Sequence, residues 1–182
     1  MKKNNSGITL LALIIIVIVL IIIASISVYE GRELIAKSKV QTLETNMLTI
    51  QAKAKSYAEE IDAKIWTESG ENKDSKRDNE FNKKGFINPS SSLDNKYEEQ
   101  ISSEIMDNNN YISYELSNEP SNESSKNALS EMGLDDINGE SYIVVYDKTD
   151  YKKLDIIYTN GVTYKKVTYY TLSKLKNALS ND

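Results

Sequence analysis

Residues 107–110 (DNNN) and the pair Asp135-Asp136 are the places where this chain could gather oxygen ligands for a cation, and calcium is the ion such oxygens suit. An EF-hand loop needs alternating acidic ligands, a central Gly and a terminal Glu, and neither cluster has them. Both read as solvated loop, and no metal site is expected. Histidine and cysteine are absent. That removes the commonest general base and metal ligand, along with thiolate chemistry, zinc–thiolate sites and disulfides. Carboxylate pairs carry little weight in a chain with 27 acids. There is no nucleophile–base pair and no Gly-rich phosphate loop, so no catalytic residue and no cofactor is expected, and the chain does not read as an enzyme. The net charge of −5 argues against a nucleic-acid partner, because phosphate needs clustered Lys and Arg. Seven of the twelve tyrosines lie between Tyr142 and Tyr170. They could form an adhesive or ligand-stacking surface. The preferred reading is that Tyr favours strands and packs at their half-buried positions.

The elements that would carry any such chemistry begin with an apolar run. No formal charge occurs from Asn4 through Tyr29, and residues 8–28 are interrupted only by Thr9, Ser25 and Ser27. As a helix the run would be roughly 31 Å long, close to the thickness of a bilayer's hydrocarbon core. It has no polar face. The mean hydropathy of −0.48 thus averages one apolar helix with a hydrophilic body. A secretory signal has a shorter apolar region and a small-residue cut site after it. Ala24, Ser25 and Ser27 keep that alternative open, with a mature N-terminus near Ser27, although the helical register continues past residue 28. Lys2 and Lys3 before the run balance Arg32, Lys37 and Lys39 after it. Charge counting leaves the orientation open. The short tail and large polar body favour N-inside, C-outside.

From Glu30 the composition changes but the period does not. Val40, Leu43, Met47, Ile50, Ala54, Tyr57 and Ile61 recur in three- and four-residue steps. They share one face, with Lys39, Gln41, Glu44, Lys53, Lys55 and Glu59 largely elsewhere. No Gly or Pro intervenes between Gly31 and Gly70. One helix from about residue 8 to 66 is expected. Its stripe could be the seam of a coiled-coil dimer. Alternatively it covers a sheet supplied by the chain itself.

Residues 67–127 form a polar variable region. Residues 68–84 read as an extended or disordered loop. The patch Gly85-Phe86-Ile87-Asn88-Pro89 ends in a turn. Residues 93–106 suggest a short helix, with Leu93, Tyr97, Ile101 and Ile105 on one face and Ser92 as N-cap. Residues 111–116 suggest a strand, 119–125 a loop, and 128–133 one helical turn closed by Gly133. The part from 128 to 182 reads as an antiparallel meander of three or four strands. SYIVVY (141–146) and LDIIY (154–158) are its first two, joined by a turn at 148–150. Asn160-Gly161 is a strong turn signal. Residues 162–164 and 167–171 form a third strand or a hairpin around Lys165-Lys166. A closing helix over 172–179 has Ser173 as candidate N-cap.

The octet Ser6-Gly7-Ile8-Thr9-Leu10-Leu11-Ala12-Leu13 resembles the N-terminus of type IV prepilins: a short basic leader, a Gly, an apolar residue, Thr, Leu, two further residues and Leu. The Ile-Thr-Leu form with Ala is similar to pilin-like proteins of clostridia and related Gram-positive bacteria. The motif spans about eight residues, and the helix behind it extends the likeness to roughly sixty. The resemblance implies that a membrane aspartyl prepilin peptidase removes leader 1–7 by cutting between Gly7 and Ile8 and methylates the new N-terminus at Ile8. It makes Thr9, Leu10, Leu11, Ala12 and Leu13 the start of the assembly helix. The implied partners are membrane lipid, other pilin subunits met through that helix, the peptidase, and an assembly platform with its ATPase. The implied location is the cell membrane, single-pass, with a cytoplasmic N-terminus and an extracellular head, and then an extracellular filament.

There are two departures from the family pattern. Ala12 stands where most pilins have a Glu that contacts a neighbour's N-terminal amine, which favours a minor subunit. No proline lies near the end of the span; Gly31 is the nearest weak point. The expected fold is α+β. A long N-terminal helix, transmembrane over 8–28 and amphipathic over 29–66, packs on a small C-terminal antiparallel meander. The expected role is a pilus or pseudopilus subunit. Adhesion, motility, DNA uptake and a type II secretion-like role stay open. The alternative is a static single-pass anchor displaying a small binding domain.

Overall fold

A computed structural model describes residues 6–67, 69, 71–101, 110–117, 127–137, 139–152 and 154–181, without the side chains of 6–12, 24–33, 71 and 154. The chain divides into two units, Met1–Lys39 and Val40–Asp182. Helix α1 spans Ser6–Lys64, close to the span expected from periodicity. In the first unit, α1 is the one element among the described residues.

The second unit is α+β. After the end of α1 come α2 (Glu71–Lys83), β1 (Phe86–Ser90), α3 (Asn95–Glu98), β2 (Tyr111–Leu116), α4 (Ala128–Glu131), a 3₁₀ turn (Asp135–Ile137), β3 (Tyr142–Asp147), β4 (Leu154–Tyr164), β5 (Val167–Thr171) and α5 (Leu172–Ser180). The strands make one antiparallel sheet in chain order, β1-β2-β3-β4-β5. The C-terminal meander expected over 128–182 is present as β3-β4-β5, and β1 and β2, from the region before it, extend it to five strands among the described residues.

Strand alternation sorts the side chains onto two faces. Tyr114, Leu116, Tyr142, Val144, Tyr146 and Ile156 enter the main core with the α1 stripe. Tyr111, Val145, Ile157 and Tyr170 turn to the other face and pack with Tyr97 and Ile101. Every stripe residue expected from the sequence is buried except Tyr57, which is half-buried, and Ala58 and Ile65 join them. The Tyr146 hydroxyl donates to the Ala54 carbonyl at 3.0 Å, which ties β3 to α1. The stripe is therefore covered by the chain's own sheet.

Residues 68–84, expected to be loop, contain helix α2. One apolar side chain is enough to dock it. Phe81 is fully buried, with ring centroids 4.7 Å from Tyr114 and 5.3 Å from both Phe86 and Tyr146. Polar tips do the rest. Arg77 Nη2 donates to Asp62 at 2.7 Å across to α1, and the Tyr114 hydroxyl donates to Asp78 at 2.7 Å. A helix built on tertiary contacts leaves little trace in composition. The patch at Gly85 continues into edge strand β1 instead of ending in a turn. Of the short helix expected over 93–106, the described residues hold α3, preceded by Asp94 and without a side-chain cap bond, so Ser92 is not its N-cap, and residues 102–106 lie outside the described residues. Tyr97 and Ile101 are buried as their spacing implied. The expected positions of Ile105, of loop 119–125 and of cluster residues 107–109 lie outside the described residues.

The turn expected at Asn160-Gly161 is a bulge inside β4, where the register to β5 shifts between Ile157 and Val162. Gly161 has φ +66, and an added Cβ there would lie 2.6 Å from Tyr170 Cε1, so a glycine is required in both conformation and space. The hairpin turns instead at Lys165-Lys166, at φ +47 and +69, the two-positive geometry that matches strand twist. Thr171, not Ser173, caps α5: its Oγ accepts the Lys174 N–H at 3.4 Å. Gly133, at φ +76, closes the turn after α4 as expected.

Candidate functional site

The residues that the sequence marks as functional all lie in the first turns of α1. Gly7, Ile8, Thr9, Leu10, Leu11 and Ala12 belong to its backbone span, and their side chains lie outside the described residues. Leu13 is the first with a described side chain, and it is exposed. From there to Ile23 every residue is a Leu, Ile or Val, and each shows 46% to 60% of its surface. At 100° per residue such a run points in all directions, so every side of the helix is apolar and uncovered. Covering side chains of this size gains about 1.5–3 kcal/mol each when complete. With about half of each still exposed, the run as a whole leaves on the order of 10 kcal/mol of burial unmet. A helix of this kind needs an apolar surrounding. Among the described residues no helix is long and apolar enough to cross a membrane. The described part of the run is roughly half of the ~20 residues that a span takes.

Several buried polar groups of the second unit are engaged in structure. Asp155 is buried on β4, and burial raises its carboxyl above the ordinary Asp range. Its Oδ2 accepts the Ser173 hydroxyl at 2.6 Å, and its Oδ1 accepts the Ile156 N–H at 2.8 Å and the Ser173 N–H at 3.3 Å. Both oxygens are thus occupied at the first turn of α5, where the helix dipole favours an anion. Arg77 lies 4.1 Å above the Tyr151 ring, and burial, which lowers its pKa, is the largest single influence on it; the hydrogen bond to Asp62 and the interactions with Tyr151 and the Asp62 charge together outweigh that and raise its pKa overall. Its Nε, buried, has no hydrogen-bond partner among the described residues. Tyr114, Tyr142 and Tyr146 are all raised by burial and stay protonated at neutral pH, which makes them donors and core fillers. Six of the seven tyrosines between 142 and 170 are buried or pack against the main core, and Tyr170 packs in the smaller cluster. The strand-packing reading of these residues therefore holds.

Among the described residues no three acidic side chains come together in a way that could hold a metal ion; Asp135 and Asp136 sit in the 3₁₀ turn. A cleft of about 300 Å³ on the α3 side of the sheet has Asn88, Ser90, Ser113, Glu115 and Thr159 on its walls. Several of these polar groups bond one another: Asn88 Nδ2 donates to Glu115 at 3.0 Å, and Ser113 Oγ donates to the Ser90 carbonyl at 3.1 Å. Sequence reasoning missed Arg77, Gln100 and Asp155. Each acts through a partner distant in the chain, and none carries a local motif. No family model matches the chain, and no curated protein or solved structure matches it either.

Proposed function

We propose that the chain is a type IV pilin-like or pseudopilin-like subunit, built to pass its N-terminal helix from a membrane into a bundle of like helices. The observation that carries this reading is the exposed run at residues 13–23, apolar on every side. The octet around Gly7 and Ile8 adds the processing step: a prepilin peptidase cuts between them and methylates Ile8. The leader is lost and the apolar run is kept. Because the cut comes before the run, the mature chain stays in lipid until an ATP-driven platform lifts it out.

Exchange of lipid for neighbouring helices changes the hydrophobic term little, since both surroundings are apolar. Side-chain packing between helices then provides the net gain. Ala12 offers no carboxylate to a neighbour's amine, so docking relies on shape, as suits a minor subunit. The α+β unit faces solvent and carries the surface on which any specificity depends.

Intact-mass analysis of the membrane-bound chain tests the reading. A mature protein lacking residues 1–7 and carrying one methyl group on Ile8 is expected. Retention of the leader without methylation would replace the proposal with a static single-pass anchor, and a mature N-terminus near Ser27 would replace it with a secreted protein.

A further inference from the structure

Two asparagines of the chain stand directly before a glycine, Asn138 and Asn160. That pair carries a slow chemistry that needs no enzyme. Glycine has no Cβ to shield its backbone nitrogen. The nitrogen attacks the asparagine Cγ and a new C–N bond closes a cyclic imide. The side-chain nitrogen leaves as ammonia, with the proton that the glycine nitrogen gives up. Water then opens the ring at either carbonyl. One opening gives aspartate. The other gives isoaspartate, whose main chain runs through the former side chain and is one carbon longer. One water is consumed and one ammonia released, so nothing is oxidised or reduced. Asn138 lies outside the described residues. Asn160 lies in β4 and is exposed.

An ordinary strand blocks the attack, because ladder bonds on its two sides hold the backbone extended. At Asn160 both ladders are interrupted. On the β3 side the paired register ends at Tyr142 and Tyr158, followed by a bond from the Thr159 N–H to the Ser141 carbonyl at 3.1 Å. On the β5 side the pairing jumps from Ile157–Thr171 to Val162–Tyr169, so residues 158–161 face the single residue Tyr170. Tyr170 spends its N–H elsewhere, on Gln100 Oε1 at 2.8 Å. The Asn160 side chain makes no hydrogen bond among the described residues. Asn160 and Gly161 are therefore the joint at which β4 leaves one neighbour and joins the next.

We propose that Asn160 is a self-modification site, where the joint in β4 lets the Gly161 nitrogen close on the Asn160 amide and convert it to aspartate and isoaspartate. Either product is ionised at neutral pH and adds one negative charge to a chain already at −5. The slack of residues 158–161 against Tyr170 takes up the longer main chain of isoaspartate, so both products keep the sheet. A side chain at Gly161 has no such room, since its Cβ would lie 2.6 Å from Tyr170 Cε1. Glycine is thus required there by the fold, and the chemistry comes with it. This inference does not depend on the filament reading, because it concerns the sheet and not the apolar run.

Incubation of the full chain in detergent micelles at mildly alkaline pH tests it, with a parallel incubation in urea. Peptide mapping by mass spectrometry separates asparagine, aspartate and isoaspartate at position 160 from the same forms at 138. Conversion at 160 in the folded chain is expected within about tenfold of its rate in urea, because a site outside both ladders opens at little cost. Isoaspartate should appear beside aspartate, and the near-UV tyrosine signal should persist through the conversion. Asn160→Gln should abolish the change at this peptide, because the longer side chain closes a larger ring more slowly, and should leave the signal from 138 in place. A slowing of more than about tenfold relative to urea would show that the strand protects the pair and would overturn the proposal. Aspartate at 160 without isoaspartate would overturn it too, since direct hydrolysis of the amide, with no part for Gly161, gives that product alone.

Discussion

Residues 13–23 and residues 40–64 both hold apolar side chains on α1, yet they have opposite surroundings. In the first stretch all the side chains are apolar and none is buried. In the second, apolar residues return every three or four positions, and Val40, Met47, Ile50, Ala54 and Ile61 are sealed under the sheet at 1% exposure or less. A stripe needs one partner surface, and the chain supplies it. A helix apolar on every side needs a surrounding, and no single sheet face can provide one. The contrast shows that apolar content alone says little. Its angular spread decides whether a segment folds with its own chain or waits for something outside it.

The sharpest way to break the comparison is to remove apolar volume from the stripe. Ile50→Ala should cost the second unit about 2–5 kcal/mol, because a fully buried Ile leaves a cavity that rigid sheet neighbours cannot fill. Urea unfolding followed by tyrosine fluorescence reads this, and membrane partition should stay the same. If the midpoint does not move, the stripe is not the core contact described above.

The reciprocal change is Ile18→Arg. At the centre of an apolar span an arginine costs about 2.5–3.5 kcal/mol, or roughly a hundredfold in partition. Flotation with liposomes should show that loss, while the urea midpoint of the second unit is retained; under the proposed subunit role, fibre yield should fall with it. Unaltered flotation would mean that the run does not sit in lipid.

Gly161→Ala asks whether the sheet holds its shape without help from the apolar run. The new methyl would lie 2.6 Å from Tyr170 Cε1 and 2.9 Å from Thr168 Cγ2, in a backbone at φ +66. A loss of about 1–3 kcal/mol is expected, from overpacking and left-handed strain together. Thermal unfolding measures it, and a change below a few tenths would show that the bulge relaxes freely.

Such details also mark the limit of what could be read from the sequence. The stripe, strands β2, β3 and β5, the Lys165-Lys166 hairpin and the Gly133 stop were legible because each follows from a period or a turn preference within a few residues. Helix α2 was not, since its docking depends on Phe81, Arg77 and Asp78 meeting rings and a carboxylate from elsewhere in the chain. Asn160-Gly161 carries the same local signal whether it turns a hairpin or bulges a strand. The pairing partner decides between the two, and the partner is a tertiary fact. The candidate processing site is the reverse case: the octet at Gly7 and Ile8 can be read from the sequence as a resemblance, while the side chains of residues 6–12 lie outside the described residues.

Asp155 gives the comparison a pH axis that the uncharged run lacks. Burial raises its carboxyl in the folded state, so the folded chain binds more protons than the unfolded chain between the ordinary Asp range and the raised value. Its contribution therefore grows as pH falls through that window and is lost as pH rises through the raised value. The lowered Glu60 and Glu80 act in the opposite sense, from more exposed positions where solvent screens them. Asp155→Asn should remove the acid-side gain, seen as a flatter dependence of urea midpoint on pH than in the parent. Parallel curves for the two proteins would assign the pH response to other groups.

The smallest effect expected is a gain. Lys165 and Lys166 both hold positive φ at the tip of the β4–β5 hairpin, a conformation that costs a residue with a Cβ about 1–2 kcal/mol in the left-handed region. A glycine at the second position removes that strain. It also enlarges the freedom of the unfolded chain, which offsets part of the gain. A net stabilisation of about 0.5–1 kcal/mol is therefore expected for Lys166→Gly, as a rise in the thermal midpoint of the second unit. Because the turn lies on the solvent side of the hairpin, the change leaves the α1 stripe untouched. A drop in the midpoint would mean that the lysine side chain contributes more to the hairpin than its backbone costs.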